Sequence, residues 1–446
     1  MNAMKPMSAF SQKENHDEYE GMYGKRYTPH PLPPKLIQKP FQEVFNRFNS
    51  TAEEFILPAI GYLALEQLKA LEDIATCKTA DAGFSVYGCN NCGAITYNYN
   101  KCKNRNCPIC QNLKTYIWAD QRKAEVFDSD YYHVVMTVPH ELNPLFYENQ
   151  KELYGLLHNC VSSAIIEYAK DDDHLGGTPG IIQILHTWDQ HLNYHVHIHT
   201  IVTGLGLTKE GKLVYNKSDG FLMPKKVLED LVKYKFMDSL KSMYNNNVLS
   251  LEGIASKYKN HYEWNELINK MYETQWVSFI KETFNGNGNA IDYLARYTNK
   301  VAIGNSRIQS VEGGIVTFTS RDSEGKQTIK NQLSCEEFVG RYLTHVLPSG
   351  FQKIRYYGIF ANGCRKKNVD HILKLQGNKQ RLYCYKEPTE KEVLRVEFHV
   401  NLDVCPKCSQ KGTMKQIDYV MGSLSYTYIP LGKKMGWLRN YLEGVG

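Results

Sequence analysis

The stretch Asn193-Tyr194-His195-Val196-His197-Ile198-His199-Thr200-Ile201-Val202 decides how this chain is read. Side chains alternate faces along a strand, so His195, His197 and His199 project from one surface while Val196, Ile198 and Thr200 project from the other. Imidazole is the commonest protein ligand for a transition metal, and two of them two residues apart on a rigid strand form a preset bite for one divalent ion. A single buried histidine is ordinarily a hydrogen-bonded core residue. Three on one face point instead to a metal site.

The preceding segment, Ile181-Ile182-Gln183-Ile184-Leu185-His186-Thr187-Trp188, reads as a second strand, with Asp189 to Asn193 as a polar connection, so the two form a hairpin. If His186 lies opposite His197, their Cβ atoms stand about 5 Å apart on one face, and His186 becomes the third ligand beside His197 and His199. Gln190 and His195 are rivals for that place.

Six cysteines lie upstream: Cys77, Cys89-Asn90-Asn91-Cys92, Cys102 and Cys107-Pro108-Ile109-Cys110. Two Cys-x-x-Cys knuckles supply four thiolates, and the expectation is one structural Zn²⁺ on Cys89, Cys92, Cys107 and Cys110, with Cys102 and Cys77 as possible substitutes. Lys101, Lys103, Arg105, Lys114, Arg122 and Lys123 interleave with Tyr97, Tyr99, Tyr116 and Trp118, a mixture suited to phosphate contacts and base stacking. Near the far end Cys405-Pro406-Lys407-Cys408 forms another knuckle. It offers two ligands for a second zinc, to be completed by His399 or a distant thiol.

A second constellation is Ile291-Asp292-Tyr293-Leu294-Ala295-Arg296-Tyr297-Thr298-Asn299-Lys300. On a helix Tyr293 and Tyr297, at i and i+4, share one face. A phenol of ordinary pKa near 10 is a poor nucleophile unless a metal or cation assists it, and Arg296 and Lys300 are placed to do so or to hold phosphate oxygens.

The chain has 446 residues, 42% of them apolar, which supports two or three cored domains, and its formal charge of +6 permits a nucleic-acid partner without requiring one. The first 21 residues lack the apolar core of a signal peptide and no run of about 18 apolar residues occurs, so the expected location is cytoplasmic and nucleoid-associated. The expected organisation is a flexible arm at 1–40 and a helical, Cys-rich zinc-binding and DNA-binding domain at 41–125. A catalytic domain follows at 126–310, with a helical insertion at about 220–285. Residues 311–390 form a basic DNA-binding region, and 391–446 a tail carrying the last knuckle. Within the basic region, Arg341 to Arg381 holds nine Lys or Arg against one acid, Asp370.

The histidine pair His197-Ile198-His199, followed by a tyrosine-bearing helix, resembles the HUH endonuclease superfamily. More closely, the cysteine cluster, LHTWDQ, HVHIHTIVTGLG, YLARYTNKVAI and FVGRYLTHVLPSGFQKIRYYGIFAN, in that order, resemble bacterial two-tyrosine rolling-circle insertion-sequence transposases with a transposase zinc-binding domain. The resemblance spans roughly residues 45 to 375. It implies an α+β fold with an antiparallel sheet and helices on one face, His197 and His199 as metal ligands, and Tyr297 and Tyr293 as nucleophiles. It also implies a Mg²⁺- or Mn²⁺-assisted transesterification of single-stranded DNA at element termini, through a 5′-phosphotyrosine. Without a G-x-x-x-x-G-K-[ST] motif, unwinding falls to host helicase and replication proteins.

Three imidazoles also suit Zn²⁺ or Ni²⁺, so the choice of ion rests on the chemistry. Replication initiators share the order of motifs. A relaxase places its tyrosine before the histidine pair. A metal hydrolase of the amidohydrolase type needs a repeated strand and helix pattern that is absent, and a non-catalytic zinc-dependent DNA-binding protein leaves the histidine face idle.

Overall fold

The computed structural model describes residues 43–44, 64–123, 125–217, 222–284, 298, 300–322, 326–377, 389, 392 and 401–422. In chain order the principal elements begin with α1 (Leu65–Thr76), β1 (Gly83–Cys89), β2 (Ile95–Tyr99), α2 (Pro108–Lys123), β3 (Tyr131–Thr137), α3 (Asn143–Glu148) and α4 (Gln150–Ala169). The hairpin strands β4 (Thr178–Trp188) and β5 (Tyr194–Leu207) follow, then β6 (Leu213–Tyr215), α5 (Lys225–Asn245), α6 (His261–Glu273) and β7 (Val277–Phe284). The last group is β8 (Ile308–Glu312), β9 (Ile315–Arg321), β10 (Thr328–Ser334), α7 (Cys335–Leu343), β11 (Ile354–Gly358), α8 (Arg365–Leu375) and β12 (Met414–Met421). The fold is α+β, with every strand among the described residues pairing antiparallel.

The central sheet runs β11-β4-β5-β3-β7, with β6 added beside β5. Its hairpin turn is set by Asp189, whose carboxylate accepts the N–H groups of His191 and Asn193, each at 2.8 Å. Leu192 takes a left-handed φ of 66° there, and its fully buried side chain offsets a cost of about 1–2 kcal/mol.

Period-two alternation sorts the hairpin onto two cores. Ile181, Leu185, Val196, Ile198 and Val202 face α3 to α6 through Leu157, Val161 and Phe236. Ile182, Ile184, Ile201 and Leu205 face Phe127, Ile372 and Leu373 of the other layer. Helical residues pack against the sheet in both layers, because β4 and β5 are apolar on both sides.

Three boundaries differ from the sequence expectation. The segment expected to be helical to about 285 ends in β7, whose Phe279 and Ile280 pair with Val135 and Val134 of β3. The basic 311–390 region is not separate from the catalytic sheet, since Ile354 and Tyr356 pair with Ile184 and Ile182. The Cys-rich module contains a three-stranded sheet, β12-β1-β2, to which the chain returns from 414–421. Among the described residues no helix is long and apolar enough to cross a membrane.

Candidate metal centre

The ladder between β4 and β5 sets His186 opposite His197, the register that a third ligand requires, and Ile184 opposite His199. One ring nitrogen each of His186, His197 and His199 lies within 4.8 Å of the others. Ring centroids stand 5.4 Å (His186 to His197), 4.6 Å (His186 to His199) and 4.9 Å (His197 to His199) apart.

Hydrogen bonds fix which nitrogens face the gap. His197 Nδ1 donates to the His195 carbonyl at 2.9 Å, leaving Nε2 for an ion, and His199 Nδ1 meets Nε2 of His133 at 3.0 Å. Burial pushes the imidazolium forms down, to about 3 for His197, well below the usual value for His199 and to about 4 for His133. These rings are neutral at pH 7, the ligating state. An imidazole that ligates a metal carries no charge of its own, so three of them leave a divalent ion its full charge, which suits a Lewis acid acting on a phosphodiester.

Trp188 stacks on His186 at 4.6 Å, and Lys353 Nζ sits 4.9 Å from the Trp188 ring. Lys353 donates to the Lys300 carbonyl at 2.8 Å, while its own carbonyl accepts Leu185 N–H at 3.0 Å and so extends the sheet. Burial, with the Arg105 and Lys300 charges adding to it, lowers the Lys353 ammonium to about 7. Arg105, Trp188, Lys300, Tyr342, His345 and Lys353 line a cavity of about 280 Å³ beside the histidines. The setting is cationic and aromatic, the pairing that suits a nucleic-acid backbone and its bases.

The rivals for the third ligand point elsewhere. Gln190 Oε1 accepts Arg321 N–H at 2.8 Å, and the His195 ring lies outside the three-nitrogen group although it neighbours His197 at 5.1 Å. Tyr293, Arg296 and Tyr297 lie outside the described residues. Lys300 is described and borders the cavity. His133, Trp188 and Lys353 were missed as site residues. A histidine in the flanking strand β3 was the available signal for the first.

The cysteines regroup. Cys107 and Cys110 join Cys77 and Cys102, while Cys89 and Cys92 join Cys405 and Cys408, so the expected single site on Cys89, Cys92, Cys107 and Cys110 is replaced by two sets of four. The physical reason is β2, which carries the chain away from the first knuckle before α2 opens on the second. In the first set Sγ of Cys110 lies 3.6 Å from Sγ of both Cys77 and Cys102, close to the ~3.8 Å edge of a tetrahedron with Zn–S bonds of ~2.3 Å. Cys77 and Cys107 are fully buried in the core that also holds Leu71, Phe338 and Trp188, the residue that stacks on His186.

Several cations expected to meet DNA serve the fold. Arg105 donates to the carbonyls of Leu347, Pro348 and Phe351 at 2.6–2.7 Å, docking the cysteine module on the turn before β11. Arg122 and Arg365 both pair with Glu125 and both flank the Tyr356 ring.

Residues 180–368 match the family model described as "Putative transposase", and residues 44–138 match the model of the transposase zinc-binding domain. Over 316 residues the chain is 33% identical to the "Putative transposase y4qJ" of Sinorhizobium fredii, covering 71% of this chain and 79% of that relative. The chain belongs to this transposase family. It is also 27% identical over 347 residues to the transposase for insertion sequence element IS801 of Pseudomonas savastanoi pv. phaseolicola, covering 74% of this chain and 80% of the relative. No solved structure matches. Within the transposase, the histidine hairpin, Trp188 and Lys353 fall in the first matched segment, and His133 and the Cys77 set fall in the second.

Proposed function

We propose that this transposase cleaves and rejoins single-stranded DNA at insertion-element ends by the rolling-circle route, with Tyr297 and Tyr293 as nucleophiles. The observation that carries the reading is the face of three imidazoles beside a cavity lined by Lys300, Lys353 and Arg105. A divalent ion bound by His186, His197 and His199, Mg²⁺ or Mn²⁺, would supply Lewis acidity to the scissile phosphate and its leaving oxygen.

The chain's own groups do the remainder. A tyrosine oxygen, losing its proton, attacks phosphorus, the bond to the 3′ oxygen breaks, and the products are a 5′-phosphotyrosine and a free 3′-hydroxyl. That hydroxyl, or one on a target strand, reverses the step without a nucleotide cofactor, because bond energy is kept in the covalent link. Lys300 and Lys353 hold phosphate oxygens, Trp188 supplies an aromatic face for a base, and Arg296 assists the phenolate. A second tyrosine allows a second cleavage before the first link is resolved. Structural Zn²⁺ in the cysteine module holds the DNA-binding region, host helicase and replication proteins provide the single strand, and the protein works in the cytoplasm at the nucleoid.

The test is a denaturing gel of purified protein with labelled single-stranded DNA from the element's terminus and Mg²⁺ or Mn²⁺. A metal-dependent covalent band lost in His197→Ala and in Tyr297→Phe or Tyr293→Phe supports the reading. Binding without any adduct on the correct terminus refutes it and leaves a zinc-dependent DNA-binding protein.

A further inference from the structure

Two Cys-x-x-Cys turns that lie far apart in sequence have the same backbone. In the first, Gly93 N–H donates to the Cys89 carbonyl (2.9 Å) and Cys89 N–H to the Ala94 carbonyl (2.8 Å). In the second, Ser409 N–H donates to the Cys405 carbonyl (2.8 Å) and Cys405 N–H to the Gln410 carbonyl (3.1 Å). The residue after each second cysteine takes a left-handed φ, 69° at Gly93 and 58° at Ser409. Ser409 adopts that conformation without glycine's freedom, which marks the turn as held rather than incidental.

The two turns face each other. Cys89 Sγ lies 3.7 Å from Cys408 Sγ, and Cys92 Sγ lies 3.6 Å from Cys405 Sγ, 313 residues away in sequence. All four sulfurs fall within 4.8 Å. The separations are far beyond a disulfide's ~2.05 Å and fit the ~3.8 Å edge of a zinc tetrathiolate. Each knuckle is anchored to the same small sheet, because β12 pairs with β1 from Gly83↔Met421 to Cys89↔Met414, and Asn90 N–H donates to the Thr413 carbonyl at 2.9 Å. Neither matched family segment reaches Cys405 or Cys408, since they end at residues 138 and 368.

We propose that Cys89, Cys92, Cys405 and Cys408 bind a second structural zinc ion, a clasp that fastens the 401–421 segment to the cysteine module. The ion takes the thiols as thiolates, releasing up to four protons to solvent, with no change of oxidation state. The zinc-binding region is then built from two segments, whose cysteines Cys92 and Cys405 lie 313 residues apart in sequence. The Cys77 set forms its inner site and the clasp its outer one, where Cys92 and Cys408 are partly exposed while Cys89 and Cys405 are buried.

The test counts thiolate-bound ions in the full chain loaded with Co²⁺, whose sulfur-to-metal charge-transfer absorption does not arise from histidine sites. Two such ions per chain are expected, falling to one in Cys405→Ser/Cys408→Ser and to one in Cys107→Ser/Cys110→Ser. One ion in the unmutated chain, or two retained after Cys405→Ser/Cys408→Ser, overturns the clasp. A readout on the unmutated protein covers the case in which a variant does not fold. In the zinc-loaded chain, Cys92 and Cys408 should resist a maleimide and react at least tenfold faster after a chelator is added. Equal rates with and without chelator also overturn it. Neither readout involves DNA, so its failure is separable from failure of the cleavage mechanism.

Discussion

Nδ1 of His199 stands 3.0 Å from Nε2 of His133 on the neighbouring strand, with the two rings within 5° of parallel. A ligating imidazole needs its other nitrogen held, because that bond fixes both tautomer and ring angle. His133→Ala should therefore lower metal affinity or the cleavage rate by about 10–100-fold, with the protein still folded. His133→Gln, which keeps a polar group near the same place, should recover part of the loss. A Mn²⁺ titration of cleavage rate reads both, and an unchanged midpoint in His133→Ala would remove His133 from the site.

Lys353 provides a test that depends on pH. Its ammonium, lowered to about 7 by burial and by the Arg105 and Lys300 charges, loses its proton as pH rises through that value in the free protein. Bound phosphate favours the charged form and moves the loss upward, toward the ordinary lysine range near 10.4. Affinity for short single-stranded DNA should fall across that interval. Lys353→Arg should flatten the profile, and Lys353→Ala should weaken binding by about 10–100-fold at neutral pH, as for loss of a charged hydrogen bond of about 1.5–3 kcal/mol. Fluorescence anisotropy against pH decides the matter, a pH-independent native protein being the adverse result.

Stability should decline on acidification from histidines outside the metal set. Burial holds His158 at about 3 and His345 at about 4, against 6.5 for an ordinary histidine. Above about pH 6.5 both are neutral folded and unfolded, so they impose no penalty. Below it the unfolded chain takes up protons that the folded chain refuses, and each group costs about 1.4 kcal/mol per pH unit until its folded value is reached. Urea unfolding midpoints between about pH 6.5 and about pH 5 should drop accordingly. His158→Gln should be less steep than the native protein by roughly that amount, and an equal slope would contradict the assignment.

Gly358 ends β11 at a left-handed φ of 60°, and a β-carbon there would sit 1.9 Å from the Pro179 carbonyl oxygen. Because the obstacle is backbone of the adjoining strand, it cannot rotate aside. Gly358→Ala should cost at least about 3 kcal/mol, combining steric overlap with the left-handed penalty. Thermal unfolding would show it as a lower midpoint or as insoluble protein, whereas Gly350→Ala, also left-handed but with nothing within 4 Å, should cost less.

Local periodicity carried much of the fold. Alternation in 181–188 and 194–202 disclosed both strands, but it left their register open, because an irregularity between His186 and Trp188 shifts the ladder by one residue and is what sets His186 opposite His197. Spacing could not sort the thiols, because a Cys-x-x-Cys pair specifies its own turn and says nothing about which distant pair it meets. Arg105 and Arg365 illustrate the same limit for charge. Composition counts a guanidinium, but only tertiary structure shows that one is spent on carbonyls at 347–351 and the other on Glu125. Lys353 was visible as one basic residue among nine, and its place over Trp188 arises from the long-range pairing of β11 with β4.

The return of β12 to β1 also has a temporal meaning. At about 5–20 residues per second of synthesis, the 313 residues between Cys92 and Cys405 take about 15–60 s to appear. For that interval the nascent module carries an unpaired β1 edge and two thiols lacking their distant partners, long enough for oxidants or rival metals to reach them. Synthesis of residues 401–421, rather than emergence of the module, is the event that finishes this domain.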